Sequence, residues 1–148
     1  MIRRSGWLAL LVIALTACEH PIAVVSPHIE AADLIVEDRA GGQALHTEFN
    51  RTWSPSALHL RDDEPVKLFL TALDFRGEPI DISDRPDLSF RMEAEDPAIL
   101  QWEPLNGFGI LRSFGVGETR IRFLIWHINH ADFVTPWLDV VITPGDLP

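Results

Sequence analysis

Short runs in which apolar and polar residues alternate fill the chain from residue 33 onward, and this pattern constrains the fold more than any other feature. Pro, Gly, Asn and Asp interrupt the runs. Alternation with period two places successive side chains on opposite faces of a strand, so each run can bury one face and expose the other. No stretch after the first 17 residues carries a helical apolar stripe, and we therefore predict an all-β domain.

The alternation is clearest in four runs, at residues 66–73, 88–95, 119–126 and 138–142. In the second run, apolar residues alternate with Ser, Arg and Glu, so a slip of one residue in register would bury Arg91. Weaker alternation predicts further strands at 33–37, 44–49, 98–102 and 109–114. About seven short, half-apolar strands are typical of a two-sheet antiparallel β-sandwich of immunoglobulin type, and a small closed barrel is the alternative.

Three segments carry a family resemblance over about half of the chain: Leu70-Thr71-Ala72-Leu73-Asp74 with Gly77-Glu78-Pro79-Ile80, Asp96-Pro97-Ala98-Ile99-Leu100, and Gly115-Val116-Gly117-Glu118-Thr119-Arg120-Ile121. They resemble the bacterial immunoglobulin-like domains (group 2-like) that occur in repeats on envelope proteins and adhesins. The resemblance implies a strand, a turn and a strand at the first segment. At the last it implies a tight turn that enters a core strand.

The first 17 residues have the layout of a secretory signal peptide. Arg3 and Arg4 precede an apolar run from Trp7 to Leu15, and small residues stand just before Cys18. The run is shorter than the roughly 20 residues that span a bilayer. Leu15-Thr16-Ala17-Cys18 resembles the lipobox of bacterial lipoproteins, which implies that Cys18 is acylated and becomes the first residue of the mature chain.

We therefore expect a signal peptide at 1–17, a tether at 18–31 and the sandwich domain at 32–148. Acylation also accounts for the single cysteine, because an unpaired thiol is unusual in a secreted protein. The lipid on Cys18 would hold the protein on a membrane surface in the envelope. Glu19 favours the outer membrane, with the domain facing the periplasm or the cell surface. His20 and His28 lie in the expected tether and are interpreted as solvated spacers.

The chain is acidic, with 12 Lys and Arg against 22 Asp and Glu and a formal charge of -10. Such a surface repels phosphate backbones, and no basic cluster survives outside the signal peptide, so nucleic acid is excluded as a partner. Nucleophile-elbow, phosphate-loop and zinc-protease motifs are missing from the sequence. We therefore expect a protein without enzymatic activity.

The segment from Trp126 to Trp137 carries the strongest candidate for a functional site. His127, His130 and Asp132 place two imidazoles and a carboxylate within six residues on a predicted loop, as a zinc or copper site would require. The two histidines would point to opposite faces of a regular strand, so their convergence requires a turn, which Asn129 permits. The metal would also need His46 or His59. The alternative is a polar loop whose histidines form local hydrogen bonds, with no cofactor.

Trp126 and Trp137 are predicted to lie on the outward faces of their strands, on either side of this segment. Together with His127, His130 and Asp132 they form a candidate binding surface for a sugar ring or a protein partner. The alternative is that both rings fold over the edge of the sandwich. Trp102 is predicted to be in the core, and Trp53 in a loop. The acidic groups at 62–64 and at Asp81, Asp84 and Asp87 are interpreted as solvated turns rather than calcium sites.

The function favoured by the sequence is a non-enzymatic envelope lipoprotein whose immunoglobulin-like domain serves binding or structural assembly. Its partners would be the membrane, through the lipid on Cys18, and a protein or glycan of the envelope. One alternative is a periplasmic lipoprotein that binds zinc or copper through His127, His130 and Asp132. The other is a carbohydrate-binding module.

Overall fold

The computed structural model describes residues 28–39, 43–47, 51–62, 64–105 and 107–145. The predicted signal peptide, Cys18 and most of the predicted tether lie outside these ranges. Within the described residues the chain forms twelve strands and no helix. A helix with the length and apolar character needed to cross a bilayer is accordingly not found in this part of the chain.

The strands are, in chain order, β1 (Asp33–Asp38), β2 (Gln43–Thr47), β3 (Trp53–Ser54), β4 (Ala57–Arg61), β5 (Val66–Leu73), β6 (Pro79–Ile80), β7 (Leu88–Ala94), β8 (Leu100–Leu105), β9 (Phe108–Ser113), β10 (Gly117–His127), β11 (His130–Val134) and β12 (Leu138–Thr143). They form two sheets. The first has the order β3-β2-β1-β5-β9-β8, with β6 paired to β5. The second has the order β11-β10-β12-β4, with β7 paired to β10.

The predicted all-β sandwich is confirmed, with two differences in detail. The described residues hold twelve strands rather than about seven. The strands β3, β4 and β11 were not predicted, whereas β6 lies where the family resemblance implied a second strand after the turn. The unpredicted strands have only two to five residues each, and β11 lies in the segment that we interpreted as a loop. The pairing is also not purely antiparallel, since β12 runs parallel to β4.

The predicted alternation produces the core. Leu68, Leu70 and Ala72 of β5 are buried on one sheet, and Ile121 and Phe123 of β10 are buried on the other. These residues belong to one apolar cluster that both sheets supply. Burial of such side chains stabilises a fold by about 1.5–3 kcal/mol each. The inner faces of the two sheets therefore hold the domain together, as the sequence pattern predicted.

The tryptophans divide between the core and the surface. Trp53 was expected in a loop, but it lies in β3 with 6% of its surface exposed, and its indole donates to the Pro136 carbonyl. That expectation was wrong. Trp102 packs against the core as predicted, with its ring edge-to-face on Phe123. Its indole lies across Gly109, where a Cβ atom would be 2.0 Å from the ring.

The segment before β1 packs onto the sandwich. Ile29 is 8% exposed and belongs to the core cluster, and the amide of Ala32 donates to the carbonyl of Leu73. These contacts extend the packed part of the chain into the expected tether. They also fix the position of His28, the first residue that the structure describes.

Candidate metal centre

A tight hairpin brings His127 and His130 together. His127 ends β10, His130 begins β11, and the two residues pair directly across the strands. Only Ile128 and Asn129 separate them, so the turn that the metal-site prediction required is present. Within this turn Ile128 has the left-handed backbone conformation, with φ of 50°.

A β-bulge places Asp132 beside the two histidines. Ile125 pairs with Phe133 while Trp126 pairs with Ala131, so Asp132 is the extra residue on β11. A bulge re-aims the side chain of its extra residue. As a result, the Asp132 side chain is only 2% exposed although it lies next to a surface turn.

His28 completes the group from the far end of the chain. Its Nδ1 lies 2.8 Å from Asp132 Oδ1, and the amide of Ile29 donates to Asp132 Oδ2 at 3.0 Å. His28 was interpreted as a solvated spacer; its side chain is exposed, but it is held against Asp132 rather than free of partners. Of the two histidines expected to complete the site, His59 is exposed on β4 and is not part of the group. His46 lies in β2, where the side chains are outside the described part of the structure.

The four side chains converge closely on one point. One potential ligand atom from each of His28, His127, His130 and Asp132 lies within 4.8 Å of all the others. His130 Nε2 is 3.3 Å from His28 Nδ1 and 2.9 Å from Asp132 Oδ1, and His127 Nδ1 is 3.4 Å from Asp132 Oδ2. The three imidazole centroids are 5.0–5.3 Å apart.

These separations fit a tetrahedral metal site. Nitrogen and oxygen ligands at about 2.0–2.1 Å from zinc are about 3.3 Å from one another in a tetrahedron. The four separations given above, from 2.8 to 3.4 Å, lie close to that value, and no two ligand atoms of the group are more than 4.8 Å apart. Side-chain movements that shorten the longer separations would place all four ligands around one ion.

His127 is the least satisfied polar side chain of the cluster. It is 2% exposed, and neither ring nitrogen makes a hydrogen bond within the described residues. Carboxylate oxygens do lie nearby, 3.4 Å from Nδ1 on Asp132 and 3.1 Å from Nε2 on Asp87, but without hydrogen-bond geometry. Burying a polar group without a hydrogen bond costs free energy, and most buried polar groups in proteins therefore have a hydrogen-bond partner.

The carboxylate at the centre is held in its ionised form. Burial raises the pKa of Asp132, but the hydrogen bonds from His28 and from the Ile29 amide lower it, as do electrostatic interactions with His28 and His127. The lowering effects prevail, and the pKa of Asp132 falls below its ordinary value. An ionised carboxylate among imidazoles is a suitable oxygen ligand for a divalent metal.

The cluster has an inner and an outer side. Asp132 and His127 are buried, whereas the side chains of His28 and His130 are 64% and 46% exposed. His130 Nδ1 is 2.9 Å from Asn129 Oδ1, which leaves Nε2 directed at Asp132. The buried pair would anchor an ion, and the exposed pair would let it enter from solvent.

The candidate binding surface is divided by the fold. Trp126 and Trp137 lie outward, the latter 37% exposed, but His127 and Asp132 are buried. Arginine groups cover the indoles, with Arg91 at 4.0 Å from the Trp126 ring and Arg122 at 4.7 Å from the Trp137 ring. Binding of a glycan or protein by these tryptophans remains a prediction.

Neither a protein-family model nor a curated protein matches the chain.

Proposed function

We propose that the chain is an envelope lipoprotein that binds one divalent transition-metal ion, zinc or copper(II), through His28, His127, His130 and Asp132. The observation that carries this proposal is the state of His127. A buried imidazole without a hydrogen bond lies where three other ligand side chains converge within 4.8 Å. A metal ion bound to one nitrogen of the His127 ring would give that nitrogen a partner and offset the free-energy cost of burying it.

The ligand set favours these metals over others. Three imidazoles suit zinc, copper, iron and nickel, whereas calcium and magnesium prefer oxygen ligands. The group contains no thiolate or thioether, the ligands that select copper(I). Four protein ligands fill a tetrahedral zinc site, as in structural zinc centres. The same three nitrogens and one oxygen also suit copper(II), which prefers a tetragonal arrangement.

The envelope location in this proposal rests on the sequence. The lipobox-like residues at 15–18 would place a lipid on Cys18, ten residues before His28. The sandwich is then a bacterial immunoglobulin-like domain displayed close to a membrane surface. Its role is binding rather than catalysis, because the sequence carries none of the catalytic motifs considered above.

Titration calorimetry with zinc and with copper(II) on metal-stripped protein tests the proposal. We expect one ion per chain with a dissociation constant in the micromolar range or tighter. His127→Ala and Asp132→Ala should each weaken binding more than about 100-fold, since removing even an outer-shell partner costs about 10–100-fold.

His59→Ala is the matched control for these variants. His59 is an exposed histidine on β4, outside the group of four, so its loss should leave the affinity unchanged. Absence of binding by the wild-type protein would overturn the proposal. Equal loss of binding in His59→Ala and His127→Ala would overturn the assignment of the ligands.

A further inference from the structure

Asp87 lies behind His127, on the side away from Asp132. Its Oδ2 is 3.1 Å from His127 Nε2, whereas Asp132 Oδ2 is 3.4 Å from His127 Nδ1. Asp87 does not belong to the group whose ligand atoms lie within 4.8 Å of one another. The two nitrogens of one buried ring thus face two different carboxylates, only one of which is in the cluster.

The position of Asp87 is fixed by its own neighbours. Arg85 donates to both carboxylate oxygens, from Nε at 3.0 Å and from Nη2 at 2.8 Å. The amide of Ile128 donates to the Asp87 carbonyl, which ties this loop to the hairpin turn. Asp87 lies in a turn, as we interpreted it, but its side chain is only 19% exposed and is therefore not a solvated one.

The two carboxylates influence which nitrogen of the His127 ring carries the proton. A neutral imidazole carries a proton on one nitrogen and a lone pair on the other, and only the lone pair can bind a metal. A carboxylate paired with arginine is ionised, and it favours the proton on the nitrogen that faces it. Asp132 is also ionised, but it lies 3.4 Å from Nδ1, whereas Asp87 lies 3.1 Å from Nε2. The nearer carboxylate, Asp87, therefore favours the proton on Nε2, which leaves the lone pair on Nδ1, the nitrogen on the Asp132 side.

We propose that Asp87, held by Arg85, is a positioning residue that keeps His127 in the Nε2–H form and directs Nδ1 at the metal. This inference rests on the proposed metal-binding function. Metal-ligating histidines commonly donate their second N–H to a carboxylate, which fixes the ring and raises its basicity. Small ring movements would convert the 3.1 Å contact into such a hydrogen bond.

Asp87→Asn tests the proposal by zinc calorimetry. The amide also presents an N–H to the ring, so it no longer selects one form of His127, and we expect zinc affinity to fall about 10–100-fold. Asp84→Asn is the matched control, because it makes the same change at an exposed position three residues away. Its zinc affinity should equal that of the wild type. Equal affinities for Asp87→Asn and the wild type would overturn the proposal.

A second measurement needs neither a variant nor a metal. Nitrogen-15 NMR of the metal-free wild-type protein at a pH where His127 is neutral reports which ring nitrogen carries the proton. The proposal predicts Nε2, and a proton on Nδ1 would contradict it even if Asp87→Asn fails to fold. If the wild type binds no zinc while Nε2 carries the proton, the metal function fails and the role of Asp87 in orienting the ring stands.

Discussion

Among the single residues of the cluster, His127 and Asp132 matter most, because both side chains are buried. Each side chain is 2% exposed, and together they place an imidazole and an ionised carboxylate inside the fold. Asp132 is well satisfied, by His28, His130 and the Ile29 amide. His127 makes no hydrogen bond through either ring nitrogen within the described part of the chain. Metal binding would therefore stabilise the folded protein mainly by giving this ring a partner.

The folded state of the metal-free protein should lose stability in acid through Asp132. Its pKa in the folded protein lies below the ordinary value of 3.8. A lowered pKa stabilises the fold above the unfolded value, and that contribution is lost as pH falls from about 3.8 through the folded pKa. Urea unfolding between pH 7 and pH 3, with a chelator present, measures this loss.

Asp132→Asn is the comparison for that measurement, because the amide does not titrate. The variant should be less stable than the wild type at pH 7, and the difference should shrink as the pH approaches 3. If the difference in unfolding free energy between the two proteins stays constant from pH 7 to pH 3, the lowered pKa of Asp132 is contradicted.

Three of the four cluster residues could be predicted from the sequence because they are near one another in the chain. His127, His130 and Asp132 lie within six residues, so only a turn was needed to bring these three together, although the predicted site also needed a fourth ligand. His28 could not be predicted, since 104 residues separate it from Asp132 and only the packing of Ile29 brings it there. The expected tether also contains Ile22, Val24 and Val25, so its sequence did not single out Ile29 as the residue that packs.

At the scale of elements, the β10–β11 hairpin positions the cluster. Its two-residue turn pairs His127 with His130, and its bulge adds Asp132. Alternation predicted β5, β10 and β12 because each buries every second residue over about six positions. It also predicted β7, in which Leu88 and Phe90 are buried and Met92 is half-buried. It did not predict β11, because the bulge breaks the period of two within a strand of five residues.

The turn of this hairpin should be strained, and Ile128→Gly should relieve the strain. Ile128 has φ of 50° and is 69% exposed, a conformation in which β-branched residues are outliers. Relief of about 1–3 kcal/mol of strain outweighs the roughly 0.5–1 kcal/mol that glycine costs in chain entropy. We expect the free energy of unfolding to rise by about 1 kcal/mol, measured by urea denaturation.

Val116→Gly is the control for the turn variant. Val116 is also exposed and β-branched, at 54%, but it does not have a positive φ. The same substitution should therefore lower the free energy of unfolding, by about 0.5–1 kcal/mol. If both glycine variants destabilise the protein equally, the turn at Ile128 is not strained.

At the scale of the whole molecule, the candidate site joins three distant parts of the chain. The segment before β1 supplies His28, the loop before β7 supplies Asp87 and its partner Arg85, and the β10–β11 hairpin supplies the other three residues. A bound metal would link the N-terminal segment directly to the second sheet. If Cys18 carries a lipid, this link lies ten residues from the membrane anchor.

The central claim is that these four side chains share one metal ion, and a crystal structure of the zinc-loaded protein tests it most directly. Anomalous scattering at the zinc edge locates the ion independently of the protein model. We expect one peak per chain, about 2.0–2.2 Å from His28 Nδ1, His127 Nδ1, His130 Nε2 and one oxygen of Asp132. A peak at other side chains, or no peak beside His127 in zinc-saturated protein, would contradict the account.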